Sequence, residues 1–567
     1  MKKLLMVLFC WVSGVLAYGQ IAINQLGFYP DAPKEAAVMT DSGVNTFKIV
    51  SATTGKEVYS GKLNELRRSK NSSLSVRLAD FSAYTIPGDY RIVAGETESP
   101  VFAIRDHILS DVSKAALKAF YYQRVSEPLE SRYAGRWSRE AGHPDTMVYI
   151  HPSAATLQRP AGMIISSPGG WYDAGDYNKY IVNSGITTAT LLSAYEDFPD
   201  YYKQLTVNIP ETGNDIPDLL NEILCNLRWM LTMQDPGDGG VYHKCTNASF
   251  DGMVMPGVTK EPRYVVQKST AAALDFTAVM AQASRIYARY EKQLPGLADS
   301  CLQAAEKAWK WALLHPDLLY NQDAMNKQHE PAVVTGAYGD NQLSDEWFWA
   351  AAEMYATTLD SSYKTKAKEY VDARLQVPGW NQVYMLGVYT LLRAKEPELT
   401  TGYRKKVLEM ADDFVTSVRS NAFGVVMGHN PKDFVWGSSS VAANQGILLI
   451  QAYLLTQDAK YLNAALTNAD YLLGKNATGY CFVTGFGSKK VMNPHHRPSI
   501  ADGIEDPVPG LLAGGPNPGM QDGCTYLFTE PETAFVDHAD SYASNEIAIN
   551  WNAPAVYLFN ALEALKD

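Results

Sequence analysis

The sequence predicts a mainly α-helical chain that begins with a small all-β sandwich. Three observations carry this. Up to about Ala103 the apolar residues come in short alternating runs separated by Gly, Asn, Asp and Pro, the texture of strands and turns. From His107 onward the apolar period lengthens to that of helices. Three long loops interrupt the helices, at about 134–180, 236–266 and 476–544. Loops of that length in a compact domain usually carry function.

Taken in order, the first element is a secretory signal over residues 1–19. Lys2 and Lys3 precede an apolar run from Leu4 to Leu16, broken only by Ser13 and Gly14, and small Ala17 and Gly19 favour cleavage before Gln20. Cys10 follows Phe9 rather than a small residue, which argues against a lipid anchor. No later segment reaches 18 uninterrupted apolar residues, so no transmembrane helix is expected and the mature chain should be exported.

Next, strand-like runs fall at 36–39, 47–50, 73–76, 90–93 and 100–103, enough for a small antiparallel sandwich over 20–105. Helices are then expected near 107–124, 181–195, 215–234, 268–290, 296–314, 343–358, 361–374, 380–395, 400–418, 440–456, 458–475 and 545–566. Leu302, Ala305, Trp309, Ala312 and Leu313 illustrate the one-sided stripe. Twelve helices make six hairpins, which could close as a toroid or stack as an open solenoid. The lack of a repeat at fixed period disfavours a regular solenoid.

Composition narrows the function. Lys+Arg 49 against Asp+Glu 61 gives a net charge of −12, no footprint for nucleic acid or an anionic membrane. The 34 Tyr and 11 Trp supply flat faces that can pack in a core or stack on sugar rings. Beyond Cys10 the cysteines are Cys225, Cys245, Cys301, Cys481 and Cys524, with no CxxC pair, which points to mostly free, buried thiols. Nothing in the sequence argues for or against a dimer.

The chemistry lies in the loops. Gly169–Tyr177 contains Asp173 and Asp176 across Ala-Gly, a turn that can aim two carboxylates at one water. The same pair could instead shape a turn before the next helix. Asn493–Ser499 contains His495, His496 and Arg497 between prolines, a donor-rich corner suited to hydroxyls, or a place for a structural salt bridge. Near the C-terminus, Glu546 opens an apolar helix, either as a first-turn residue favoured by the dipole or as a desolvated acid that stays protonated. An Asp pair and a distant Glu are the parts of a glycoside hydrolase, where one carboxylate activates water and one carboxylic acid protonates the leaving oxygen.

These motifs bring a resemblance into view. The opening Ala22–Phe28, the Asp173–Asp176 segment, a His-x-Arg signature at Gly487, Lys489, Pro494, His495 and Arg497, and a C-terminal signature at Phe535, Asp537, Tyr542, Glu546, Ala548, Asn552 and Ala553 occur in order. Together they resemble glycoside hydrolase family 9, the (α/α)6-barrel cellulases, in the subgroup with an N-terminal immunoglobulin-like domain. Cys481 stands where Ser, Thr or Val is usual. The resemblance covers the mature chain and implies an immunoglobulin-like domain over 20–105 and an (α/α)6 barrel over 106–567. It implies that Asp176 is the general base, Asp173 its helper, Glu546 the general acid, and that the anomeric centre inverts. It implies sugar binding by His495 and Arg497, wall positions for Asp537 and Tyr542, and substrate contact by His243 in the Gly237–Lys244 loop. Trp171, Tyr177 and Trp380 are candidate aromatic platforms. Relatives often bind calcium before the helix at Asp345, so Asp340, Asp345 and Glu346 are candidate ligands for a structural calcium, which offers carboxylates as calcium prefers. No cofactor is required for this chemistry. The expected partner is a β-linked polysaccharide or oligosaccharide.

The expected activity is an inverting endo-β-1,4-glucanase acting on cellulose-like chains, mixed-linkage glucan or xyloglucan. The alternatives are an exo-acting relative releasing glucose, cellobiose or glucosamine, and a glycan-binding protein on an inactive scaffold.

Overall fold

Between Gln20 and Ile104 the chain alternates in and out of two sheets, β1 (Gln20–Ala22), β2 (Gly27–Phe28), β3 (Glu35–Met39), β4 (Thr46–Ser51), β5 (Glu57–Lys62), β6 (Arg67–Arg68), β7 (Ser75–Asp80), β8 (Gly88–Ala94), β9 (Thr97–Glu98) and β10 (Phe102–Ile104). One sheet has the order β1-β3-β7-β6, and the other β2-β10-β8-β4-β5 with β9 beside β8. The structure, a computed structural model, describes residues 20–40, 43–370, 375–395 and 397–566, so the expected signal segment lies outside it. Phe47, Ile49, Ile92, Phe81 and Phe102 fill the space between the sheets. The alternation is clearest in β4, where Phe47 and Ile49 point in and Thr46 and Lys48 point out. β5 has no apolar alternation because it is an exposed edge strand, and the sequence reading passes over it.

The uninterrupted apolar run in β3 has a different cause. Ala36 and Val38 face the sandwich core, whereas Ala37 and Met39, with Val76 and Leu78 of β7, belong to the core of the helical domain. Both faces of this sheet are therefore buried. Polar contacts pin the same junction. Asn24 Nδ2 donates to Asp470 Oδ1 (2.8 Å), and Tyr29 Oη to Glu563 Oε1 (2.5 Å).

Among the described residues, twelve helices of nine residues or more follow and pack as six inner–outer pairs. They are α1 (Ser110–Tyr122), α2 (Ile181–Asp197), α3 (Asp218–Thr232), α4 (Thr270–Tyr287), α5 (Leu297–Leu314), α6 (Ser344–Thr358), α7 (Ser361–Glu369), α8 (Tyr384–Ala394), α9 (Pro397–Ser420), α10 (Ser438–Thr456), α11 (Ala459–Leu472) and α12 (Ile549–Ala564). Helices α2, α4, α6, α8, α10 and α12 form an inner ring, and each is backed by one outer helix. This is the closed (α/α)6 barrel, not the open stack. Inner helices have apolar and small residues all round, since every face meets protein. In α2 all residues from Ile181 to Tyr195 are buried. At Gly185 an added Cβ would lie 2.9 Å from Asp275 Cβ, so glycine permits the close approach of α2 and α4. Outer helices are amphipathic, as in α5, where Ala305, Trp309 and Ala312 face inward and Leu313 is exposed.

The far end of the inner ring is closed by a half-buried ionic network. Asp197 of α2 accepts from Arg393 of α8 (2.7 Å), Gln451 of α10 (2.7 Å) and Tyr557 of α12 (2.6 Å). Glu196 accepts from Arg285 of α4 (2.8 Å), whose other arm reaches Glu353 of α6 (2.9 Å). Five inner helices thus converge on the C-terminal end of α2. A 17-residue helix is about 25 Å long, so this plug sits about that far from the loop that precedes α2.

One detail departs from expectation. The last helix begins at Ile549 rather than 545, and Glu546 is extended (φ −69, ψ 160) between a short turn and α12. The five cysteines of the described residues are all unpaired, and Cys245, Cys301 and Cys481 are buried. Among the described residues no helix is long and apolar enough to cross a membrane.

Removing the hub of the plug should unfold the barrel early. Asp197→Ala strips three helices of a shared acceptor and leaves Arg393 underpaired, at a cost of about 3–5 kcal/mol. A lower urea midpoint with an unchanged slope would register it.

Candidate active site

Three segments far apart in sequence are joined by backbone hydrogen bonds at the N-terminal end of the inner ring. Ile549 N donates to Asp173 O (2.9 Å), His495 N to Asn545 O (2.9 Å), and Arg497 N to Gly175 O (3.2 Å). Gly175 lies so close to the His495 segment that a Cβ would fall 2.1 Å from His495 O, which explains the glycine between the two aspartates. The zipper brings Asp173, Asp176, Glu546, His495 and Arg497 to one place.

The two aspartates are held differently. Asp173 has both oxygens engaged, Oδ1 by Asn183 Nδ2 (2.6 Å) and Oδ2 by Tyr338 Oη (2.7 Å). Asp176 accepts from Asn178 Nδ2 (2.6 Å) and Tyr180 Oη (3.1 Å) on Oδ2 alone. Its Oδ1 is buried with no protein partner among the described residues. A buried carboxylate oxygen without a donor is costly unless water or substrate serves it, so Oδ1 is the atom open to a water or a ligand.

Charge follows the same division. Burial pushes the Asp173 carboxyl up to about 8, with the charge of Asp176 adding to the rise. Burial also raises Asp176, but Asn178, Arg497, Tyr180 and Arg263 oppose the rise, so Asp176 is the member of the pair that ionises first. Glu546 is raised well above the ordinary carboxylate range by burial and then by the charges of Asp176 and Asp173. The site therefore gathers three buried carboxyl groups whose surroundings favour ionisation of Asp176 over ionisation of Asp173 or Glu546.

The remaining predicted residues divide into bracing groups, a cleft wall and core. Arg497 donates through Nε to Asp251 O (3.0 Å) and through Nη1 to Gly175 O (2.7 Å), so the expected sugar ligand also braces the catalytic turn. His495 donates its Nδ1 proton to Ala539 O (2.6 Å), which leaves Nε2 for an outside partner. Asp537 accepts from Met492 N (2.9 Å), Asn493 N (2.8 Å) and Asn545 Nδ2 (3.1 Å), anchoring the strand that leads to His495. Tyr542 is half-buried, its ring 5.4 Å from that of Trp436 and 6.0 Å from that of His495, and forms wall. Trp380 is also half-buried, edge-on to Tyr338 at 5.2 Å.

Three expected substrate contacts are corrected. Trp171 is fully buried against Phe120, with Nε1 donating to Glu222 (2.9 Å), and is core rather than platform. Tyr177 is likewise buried. His243 is fully buried, with Nδ1 on Ser269 Oγ (2.8 Å) and Nε2 on Ala337 O (2.8 Å), so it does not face the cleft. The sequence reading missed Asn178, Tyr180 and Tyr338. The first two were legible, because Asp176, Asn178 and Tyr180 alternate along a chain that becomes β13 (Lys179–Tyr180). Tyr338 comes from a loop 165 residues away, and no local pattern marks it.

Asp340, Asp345 and Glu346 are buried and crowd Asp275 of α4. Burial and mutual charge raise Asp275 and Glu346 well above their usual range. Among the described residues no group of three or more His, Cys, Asp and Glu side chains is already disposed as a metal cage.

Residues 110–559 match the model of glycosyl hydrolase family 9, and residues 17–99 that of the cellulase N-terminal ig-like domain. The chain belongs to glycosyl hydrolase family 9. It is 48% identical over 561 residues to a xyloglucan-specific endo-beta-1,4-glucanase of Bacteroides ovatus, covering 98% of this chain and 95% of that one. It is 33% identical over 549 residues to endoglucanase D of Acetivibrio thermocellus, covering 95% and 82%. A solved Bacteroides ovatus family 9 structure superposes with a TM-score of 0.92 at 47% identity, covering 96% of this chain and 99% of that one. The protein is a glycoside hydrolase of the endo-β-1,4-glucanase type, from a family that inverts the anomeric carbon.

The raised acid and the compensated base predict a bell-shaped kcat/KM profile. Activity falls at low pH as the Asp173–Asp176 pair takes up its second proton, and at high pH as Glu546 ionises. Glu546→Gln, assayed on an aryl glycoside whose leaving group needs no protonation, should remove the share of the alkaline limb due to Glu546, leave any share due to Asp173, and keep the acidic limb.

Proposed function

We propose that this glucanase cuts the β-1,4-linked backbone of xyloglucan-type glucans from within, using Asp176 as base and Glu546 as acid. The free Oδ1 of Asp176 carries the assignment of the base. Water held by Asp176 and Asp173 attacks the anomeric carbon on the face opposite the leaving oxygen. Its proton passes to Asp176 as Glu546 gives its own proton to the departing sugar. Carboxyl groups about 6.5–9.5 Å apart leave room for that water. His495 Nε2 and Arg497 bind the sugar beside the scissile bond, between Trp380 and the Tyr542–Trp436 wall. The full-length similarity to a xyloglucan-specific enzyme supports the decorated substrate.

We also propose export, supported by the Lys2–Lys3 start and the apolar run to Leu16. A structural calcium held by Asp275, Asp340, Asp345 and Glu346 is part of the same reading. Both oxygens of Asp275 are buried without a partner among the described residues, and hard oxygen donors suit calcium. The ion would relieve the repulsion between α4 and the start of α6.

Substrate and stereochemistry are tested together. Xyloglucan and cellohexaose are digested in parallel and followed by NMR before mutarotation. Mid-length fragments should appear early, faster from xyloglucan, with newly formed α-anomeric ends. Asp176→Asn should lower turnover by at least ~10²–10⁴-fold. A β-anomer or release of monomer alone would sink the reading.

Calcium is tested by stability. A chelator should lower Tm by about 3 °C or more, restored by added calcium. The pair Asp275→Asn and Glu346→Gln should abolish that response.

A further inference from the structure

Lys244 and His243 are fully buried beside the catalytic turn, yet neither reaches the cleft. They stand at the start of β14 (Lys244–Asn247), which pairs antiparallel with β13, Tyr180 opposite Lys244. Tyr180 is the residue that donates to Asp176. The other side of these two residues grips the segment that ends in Tyr338. Lys244 Nζ donates to Thr335 Oγ1 (3.0 Å), Gly336 O (2.7 Å) and Gln322 Oε1 (2.7 Å). His243 donates its Nε2 proton to Ala337 O (2.8 Å).

The tautomer of His243 is set by its surroundings. A carbonyl accepts at Nε2, so Nε2 carries the proton and Nδ1 accepts from Ser269 Oγ. Ser269 also caps α4. The ring is stacked on Tyr320 at 4.0 Å and 15°. Three successive residues, 335, 336 and 337, are thus each tied to 243 or 244. The next residue, Tyr338, has φ +47, a left-handed backbone that aromatic residues rarely adopt. It is in this conformation that Tyr338 Oη reaches Asp173.

We propose that His243 and Lys244 are positioning residues that hold Tyr338 against Asp173, and so fix the carboxylate that orients the attacking water. This rests on the reading of Asp173 and Asp176 as the water-holding pair. The clamp gives a buried lysine with neutral acceptors a task. It also places both aspartates under one strand pair, since β13 supplies the donor to Asp176 and β14 secures the donor to Asp173.

The test is a double-mutant cycle on the full-length enzyme with Lys244→Met and Tyr338→Phe. Each single variant should lower kcat about 10–100-fold with KM within about twofold, as displacement of a catalytic group does. In the Tyr338→Phe background, Lys244→Met should cost less than about threefold more, because its effect has already been removed. Multiplicative losses would overturn the clamp, as would a rise in KM at unchanged kcat. Wild-type kcat in Tyr338→Phe alone would instead overturn the role of Asp173. Should Lys244→Met fail to fold, Thr335→Val removes one ligand of the ammonium in the same cycle and should show the same non-additivity.

Discussion

Everything at this site depends on the approach of Gly175 to the backbone of His495. At that point the turn bearing the aspartates, the loop bearing His495 and Arg497, and the stretch bearing Glu546 become one structure. A side chain at 175 would push them apart, since its Cβ would overlap the His495 carbonyl oxygen. Each partner is then locked by a second bond. Arg497 returns to Gly175 O through both its backbone N–H and its guanidinium, and Asp173 O accepts from the first residue of α12. The catalytic groups sit on loops, but those loops behave as a small sheet set on the rim of the barrel.

Bringing three carboxyl groups together in a dry place is unfavourable, and the surrounding structure manages the cost unevenly. Asp176 is given donors on one oxygen and two guanidinium groups nearby. Asp173 is tied on both oxygens but left beside its neighbour's charge. Glu546 faces both aspartates with Arg497 and the Gly175 N–H in opposition. All three bind protons more tightly in the folded protein than in the unfolded chain. The stability they contribute is therefore fully present below the unfolded carboxylate range and is lost as pH rises through their raised values.

How much of this is legible in the sequence depends on whether the physics is local. The outer helices could be placed because one-sided burial prints a period on the chain, and the inner ones because burial on every face leaves long runs of apolar and small residues. The Asp173–Asp176 turn and the His495–Arg497 corner could be found because each compresses its chemistry into a few residues. Glu546 was found but placed inside a helix, since its extended backbone is imposed by pairing with His495 and not by its neighbours. Trp171 and His243 were misread for one reason. An aromatic or imidazole ring has the same signature in a motif whether it turns toward the cleft or toward the core. Tyr338 and Asp275 lay beyond reach, because their roles exist only once distant loops and helices meet.

The sandwich belongs to the same argument. Gln25 Oε1 accepts from Ser488 N (2.8 Å) and Lys489 N (2.8 Å), and its Nε2 donates to Gly479 O (2.9 Å). Cys481 N in turn donates to Lys489 O (2.8 Å), closing the loop that runs on to His495. With Ala37, Met39, Val76 and Leu78 merged into the barrel core, the sandwich is a wall of the catalytic domain and not a module tethered beside it. One glutamine after the first strand thus holds both sides of the loop whose far end carries His495. That is the geometry of a brace, because a loop of this length fixed only at its helices would leave His495 and Arg497 free to drift from the turn they complete.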